Sequence, residues 1–323
     1  MRLLGVELTR FRSRRAIVLI VLAAALLTAL ITTTTVWDTR PVSAAELAEA
    51  QAMAEREAQQ DYVQEDLRRC EEAPQEYIGP EATAADCQEM VPQAEWFVGR
   101  ATLDLQEQAS TSGVAVILLL AALLLVVGTT FAGADWASGS LSNQLLFEPR
   151  RGRVWLAKAG AVLVGALVTA AVVVAAFWLA LFAVAASRGI ATSAQVQEAI
   201  AWSSLRGVAL VVAGAVGAYI LTMLLRHTVG ALATLFALVV GGEILLATLP
   251  FEGIGRWSLG NNVLAWLLGG YDYYDPNISC PPGPEMCDQM VHLSLAASAW
   301  FLGLLLLAVG AVSLMSFRRR DIP

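Results

Sequence analysis

Apolar residues fall into six long runs, at 16–36, 113–131, 154–186, 207–225, 228–249 and 293–316, and polar residues gather between them. About 20 residues rising ~1.5 Å each cover the ~30 Å hydrocarbon core of a bilayer, so each run is long enough to span. In lipid a helix satisfies its own backbone hydrogen bonds, so all six runs predict helices. The runs lack the alternation of a membrane barrel, which sets that architecture aside.

Composition agrees. Charged residues make up 15% of the 323-residue chain, against about 25% in an average soluble domain. Four cysteines, two histidines and one lysine leave little material for metal or acid–base chemistry. The expected fold is all-α: a polytopic membrane protein with six transmembrane helices.

Charge sets an orientation. Residues 1–15 carry five arginines against Glu7, and 135–158 carry Arg150, Arg151, Arg153 and Lys158 against Asp135 and Glu148. Arg226 and the tail 317–323, with Arg318, Arg319 and Arg320, add to that side. The opposite segments are acidic: 38–112 holds seventeen acids and five arginines, and 251–290 holds five acids and Arg256. The positive-inside rule then places both termini in the cytoplasm of what reads as a bacterial cell membrane.

The cysteines fall in the two acidic segments, Cys70 and Cys87 in the first and Cys280 and Cys287 in the last. An oxidising compartment favours disulfides there. Of the three possible connectivities, the pairs within each segment are preferred. Closing a loop of about fifteen residues contributes roughly 3 kcal/mol in the chain-entropy model.

The polar segments differ in character. Residues 1–15 place Leu3, Leu4, Val6, Leu8 and Phe11 among arginines, the pattern of an amphipathic helix lying in the membrane interface. A signal peptide shares this opening. The following apolar run is longer than a usual signal core and no small-x-small cleavage site follows Val36, so a retained span is expected. Residues 37–112 form an extracytoplasmic domain with a helix over 43–69 and a less regular helical return over 83–107, a hairpin pinned by Cys70–Cys87. Its acidity either attracts cations or keeps it solvated. The outer turn 187–206 holds a short interfacial helix capped by Ser193 and anchored by Trp202, and only Arg226-His227 joins the spans 207–225 and 228–249, which must be antiparallel.

Glu243 is the one carboxylate well inside an apolar run; it is either a pathway residue or a hydrogen-bonding partner of a neighbouring helix. Residues 250–270 are apolar, broken by glycine and too short to span, so 250–292 reads as a re-entrant segment followed by an outer loop. Asn277-Ile278-Ser279 in that loop matches the short glycosylation pattern.

The stretch F-A-G-A-D-W-A-S-G-S-L-S-N-Q-L-L-F-E-P-R-R-G-R-V-W-L-A-K, from Phe131 to Lys158, stands apart. The span ends by 133, and within the loop 134–153 the residues 138–147 predict a short amphipathic helix with Leu141, Leu145 and Leu146 on one side. Pro149 stops it. Arg150, Arg151 and Arg153 then anchor the next span at the anionic leaflet. Arginines at a span end are ordinary topology anchors, but an extra amphipathic helix between two spans is not. The loop reads as a surface for another protein, contacted through Leu141, Leu145, Leu146, Glu148, Arg150 and Arg151.

The chain has no G-x-x-x-x-G-K-[ST], H-E-x-x-H, C-x-x-C or G-x-S-x-G motif, and its one lysine, between Ala157 and Ala159, cannot complete a phosphate loop. Work driven by ATP would need a second polypeptide to hydrolyse it.

This arrangement resembles the membrane subunit of an ATP-binding-cassette type 2 exporter. The resemblance rests on Gly133, Asp135, Gly139, Pro149, Arg150–Arg153 and Lys158, a glycine–acid–small–glycine helix followed by a proline–basic turn and a lysine. The family's acid is often glutamate, so Asp135 departs from it mildly, and the long first outer segment has no assigned family role. The resemblance implies a permease without its own ATPase site, paired with a second permease subunit in a homo- or heterodimer. ATP and Mg would bind a separate ATPase subunit, docked on the loop after the second span. The lipid bilayer is the other partner, and no nucleic acid is implied. A membrane sensor or assembly subunit, binding a ligand through its acidic outer domain, is the alternative from another class.

Overall fold

The computed structural model describes residues 2–79, 81–279 and 288–319. The proposed Cys280–Cys287 pair and Arg320 lie outside the described residues. The chain is about 79% helical and divides into two compact units, Met1–Thr33 with Asp104–Pro323, and Thr34–Leu103.

In chain order the helices are α1 (Arg2–Ser13), α2 (Arg15–Asp38), α3 (Ala44–Ala58), α4 (Asp61–Glu72), α5 (Pro74–Tyr77), α6 (Ala94–Phe97), α7 (Leu105–Ser110) and α8 (Ser112–Ala137). They continue as α9 (Ser140–Phe147), α10 (Arg151–Ser187), α11 (Ala194–Leu225), α12 (Thr228–Phe236), α13 (Gly242–Thr248), α14 (Leu259–Leu268) and α15 (Leu295–Arg319). Among the described residues, six helices are long and apolar enough to cross a membrane: α2, α7–α8, α10, α11, Thr228–Thr248 and α15.

The larger unit is built on α8, α10 and α11. Gly128 of α8 sits so close to α11 that an added Cβ would lie 2.1 Å from the Ala215 carbonyl oxygen. Small residues are what permit such an approach between membrane helices. Tyr219 of α11, fully buried, donates its hydroxyl to the Trp155 carbonyl of α10 at 2.9 Å. Ser313 of α15 donates to the Ile220 carbonyl at 2.9 Å and accepts from the Trp155 indole at 3.4 Å, tying in the last helix. Helices α2 and α15 instead show rows of exposed apolar residues, including Leu19, Leu22, Leu26, Leu30, Trp300, Leu304 and Leu307, as lipid-facing helices do.

At one end of this unit, here the terminal face, α1, α9 and the last turn of α15 meet the ends of α8 and α10. Arg226 adopts φ 60° at the tight turn between α11 and α12, left-handed backbone that caps α11. His227 then caps α12, its Nδ1 accepting from the Gly230 amide at 3.1 Å. That hydrogen bond gives His227 a structural task. Residues Ala237–Gly241 between α12 and α13 form a π-helical turn.

At the opposite end, the hairpin face, the segment read as re-entrant holds α14, ten residues or ~15 Å long, half the hydrocarbon thickness. The loop that follows contains two antiparallel strands, β1 (Gly270–Tyr274) and β2 (Met290–Ser294), with Asp272 opposite His292. They add a small sheet to an otherwise helical unit. Tyr273 and Leu293 from the strands bury against Ala265 of α14. The Asn277 side-chain amide donates to the Leu249 and Phe251 carbonyls, at 3.3 and 3.4 Å. It is thus engaged as a structural tie within the glycosylation-like pattern.

The smaller unit, Thr34–Leu103, contains the Cys70–Cys87 disulfide joining α4 to the 3-10 turn Asp86–Met90. Ser43 and Glu46 form a capping box at the start of α3. Arg100 pairs with Glu46, fixing the end of the segment to that cap. A break at Gln59–Gln60 divides the expected first helix into α3 and α4, because Gln60 takes an extended conformation. The returning half is a series of single turns rather than one helix, with Pro92 and Gly99 interrupting it.

Candidate functional site

Lys158 lies seven residues into α10, about 10 Å from its start, and is fully buried. Buried ammonium must be paired, because removing it from water costs several kcal/mol. The pairing comes from two helices distant in sequence. Glu7 of α1, also fully buried, accepts from Lys158 Nζ through Oε2 at 3.0 Å. Asp135, near the end of α8, accepts from the same Nζ through Oδ2.

The second oxygen of each acid is engaged as well. Asp135 Oδ1 accepts from Arg14 and, at 3.0 Å, from the Ser140 hydroxyl at the first residue of α9. Glu7 Oε1 accepts from the Gln144 side-chain amide of α9 at 2.6 Å. Arg10 approaches Glu7 at 3.5 Å from a more exposed position. Two acids, Glu7 and Asp135, thus balance Lys158 and Arg14. The Phe131 ring floors the cluster, with Arg14 4.9 Å and Lys158 Nζ 5.5 Å from its centroid. Arg14 also donates to the Phe131 carbonyl at 2.7 Å, using a carbonyl near the end of α8.

Apolar packing holds α1 where Glu7 can reach. Phe11 meets Phe131 at 5.4 Å and presses on Gly165, where an added Cβ would lie 2.3 Å from the ring. The result is one clasp of interlocked charges and hydrogen bonds joining α1, α8, α9 and α10. Its physical consequence is mechanical: a rigid displacement of α9 must carry Asp135 of α8 and Glu7 of α1 with it or break their hydrogen bonds to Ser140 and Gln144.

Helix α9 starts after Gly139, whose φ of +67° sets the sharp turn out of α8 without the strain another residue would bear. The structure divides the proposed contact residues. Leu141 is 1% exposed and anchors α9 inward, Leu145 is half-buried, and Leu146 is 81% exposed. Beside Leu146 stands Phe147, 90% exposed, on the surface that also presents Arg150. Glu148 accepts from the Arg150 amide at 3.3 Å, tightening the turn at Pro149.

A scan of protein-family models, curated proteins and solved structures finds no match to this chain.

Glu243, the pathway candidate, lies apart from the clasp, at the hairpin face. Its Oε1 accepts from the Gly260 amide at 2.8 Å, so the carboxylate sits at the N-terminus of α14. Ser258 occupies the N-cap itself, accepting from the Asn261 amide at 3.0 Å. An anion is favoured at that end of a helix by the aligned backbone dipoles.

Glu7, Arg14 and Gln144 belong to the clasp and Phe147 to the exposed face of α9, although composition and motif reading did not single them out. A signal existed for the first. A lone acid among five arginines in 1–15 and a lone lysine inside an apolar run each need a partner, and each is the other's simplest choice.

Proposed function

We propose that the chain is the permease subunit of an ATP-driven exporter of the ATP-binding-cassette type 2 kind, with its terminal face in the cytoplasm. In this reading α9 docks on a separate ATPase subunit, which binds ATP and Mg. A second permease subunit completes the pathway. The observation that supports it best is the clasp. An exposed apolar pair, Leu146 and Phe147, projects from a helix tied by Ser140 and Gln144 to buried carboxylates of α8 and α1. Two neighbouring exposed apolar side chains on a polar loop suit a protein-docking surface. Closure of two ATPase subunits would push on α9, and the clasp would carry that push into the spans as a rigid-body shift.

The purified chain is expected to hydrolyse no ATP, and an ATPase subunit is expected to co-purify from its native membrane. Replacing Phe147 with Asp should abolish that co-purification while the chain still inserts and folds. Co-purification unchanged by this substitution would refute docking through α9.

A further inference from the structure

At the hairpin face a recess of about 400 Å³ lies between the 254–257 turn, the strands and the start of α15. That size falls within the ordinary range of small-ligand sites. We propose that this recess binds an anionic amphiphile, a single carboxylate or phosphate on an acyl chain, with the anion at Arg256 and Tyr273 and the chain against Trp257, Leu293 and Phe301.

The polar end of the recess has a donor without an acceptor. Tyr273 is 5% exposed and lines the recess, and its buried hydroxyl donates to no acceptor among the described residues. Leaving a buried donor unmatched is costly, and a ligand oxygen would satisfy it. Burial foremost, then the nearby Asp275 carboxylate, raises this hydroxyl above the ordinary tyrosine range, while Arg256 pulls the other way. It therefore stays protonated and remains a donor.

The guanidinium lining the recess is what recruits an anion there. Arg256 lines the recess, bonds through Nε only to the Gly253 carbonyl at 3.0 Å, and forms no ion pair among the described residues. The neighbouring carboxylates are already committed. Asp275 accepts from the Gly253 and Asn277 amides at 2.6 and 3.0 Å, and Asp272 pairs with His292 at 2.7 Å. A guanidinium presents several N–H groups in a fork suited to carboxylate or phosphate.

The remaining wall is apolar. Trp257 and Phe301 meet edge-on at 6.0 Å, with Leu293 and Ala297 beside them. Trp257 is 58% exposed, and Trp300 on the adjoining turn of α15 is 71% exposed. Exposed tryptophans at the end of an apolar helix mark the level where hydrocarbon meets water. A molecule with one charged end and one greasy end fits that level. The site is independent of the transport reading, since binding needs neither an ATPase nor turnover.

The test uses the full chain in phosphatidylcholine nanodiscs, titrated with ω-bromododecanoate. Bromine quenches nearby tryptophan, and the difference between the chain and its Trp257→Phe variant isolates the signal at the recess. The expected result is saturable quenching that Arg256→Gln and Tyr273→Phe each weaken about tenfold, the loss of one hydrogen bond to a charged group. Tyr273→Phe keeps the ring packed on Gly255, so the fold should persist, and an unchanged melting curve checks it. Dodecyl phosphate should compete, whereas inorganic phosphate and dodecanol should not. Linear, unsaturable quenching, equal competition by dodecanol, equal competition by inorganic phosphate, or binding unaltered in both variants would each overturn the proposal.

Discussion

The ammonium of Lys158 and the carboxylate of Glu7 lie 3.0 Å apart although 151 positions separate them, and both side chains are fully buried. Removing one member of a buried charge set leaves the others uncompensated, at a cost of about 3–5 kcal/mol. Lys158→Met should therefore sharply lower the yield of folded protein. Adding Glu7→Gln removes the stranded charge and leaves Asp135 paired with Arg14, so folding should largely recover, since neutral groups of similar shape often replace buried ion sets without loss. Transport by the double variant should stay low, because Lys158 no longer ties α1 to α8 and α10. Thermal melting and vesicle transport measured on the same preparations check both halves.

The exposed face of α9 makes a second expectation. Truncating a buried aromatic anchor of an interface commonly costs 2 kcal/mol or more, on the order of thirtyfold in affinity. Phe147→Ala and Leu146→Ala should each weaken ATPase-subunit binding by about that factor. Leu145→Ala with Glu148→Ala should instead uncouple transport with assembly largely intact, since Leu145 is half-buried and Glu148 shapes the turn. Leu141→Ala should chiefly lower stability, because that side chain faces inward. Affinity measured by surface immobilisation, set beside melting curves, separates the three behaviours.

The spans were legible because their signal is local: about twenty apolar residues in a row need no tertiary context to be read. The Cys70–Cys87 pair was legible because both cysteines share one short polar segment. The strands β1 and β2 were harder. Tyr271 and Tyr273 alternate with Asp272, and Val291 and Leu293 alternate with His292, but each run is five residues long and the runs pair across a long gap. The face assignment on α9 failed for a different reason. A short helix with leucines at 141, 145 and 146 has an evident apolar side, yet which leucine turns inward depends on Glu7 and Lys158, far away in the chain. The clasp was only half visible. Asp135 and Lys158 stood out within one motif, while Glu7 looked like an offset to arginines until folding brought it to the lysine.

Gly128 predicts a stability effect in the middle of the bundle. A Cβ there would meet the Ala215 carbonyl oxygen at 2.1 Å and its carbon at 3.0 Å, both backbone atoms that cannot rotate away. Overpacking of this kind typically costs about 1–3 kcal/mol, and rigid backbone contact places it at the upper end. Gly128→Val should lower the melting temperature of the full chain clearly, whereas Gly214→Val, with nothing within 4 Å of its added Cβ, should change it little. Equal melting of the two variants would contradict the close α8–α11 packing.

The smaller unit offers a pH effect with a definite sign. Asp86 Oδ2 accepts from the Thr83 amide at 2.7 Å and the Thr83 hydroxyl at 2.9 Å, next to Cys87. Those bonds, the amide first, lower the Asp86 pKa below its ordinary value of 3.8. A carboxylate with a depressed folded pKa stabilises the fold above its unfolded pKa, and that contribution fades as pH falls through the folded value. The Thr83 amide should thus exchange slowly near neutrality and lose protection only below about pH 4. In Asp86→Asn this acid-dependent change should vanish. Hydrogen exchange followed by mass spectrometry on the disulfide-intact chain reads it directly.

Glu243 separates two roles that its position alone leaves together. Its carboxylate accepts from the Gly260 amide at 2.8 Å, so a neutral acceptor in the same place can preserve the contact. Charge at a helix N-terminus adds typically 0.3–1 kcal/mol, a modest amount. Glu243→Gln is therefore expected to keep nearly normal melting and transport, while Glu243→Ala loses the contact and loosens α14. The π-helical turn at Ala237–Gly241 lies one residue before α13, so loosening should extend into the end of that helix. Hydrogen exchange at 242–268 should rise in the alanine variant and remain unchanged in the glutamine variant. If the glutamine variant instead folds normally and transports nothing, the negative charge acts on cargo within the pathway, and the helix contact is secondary.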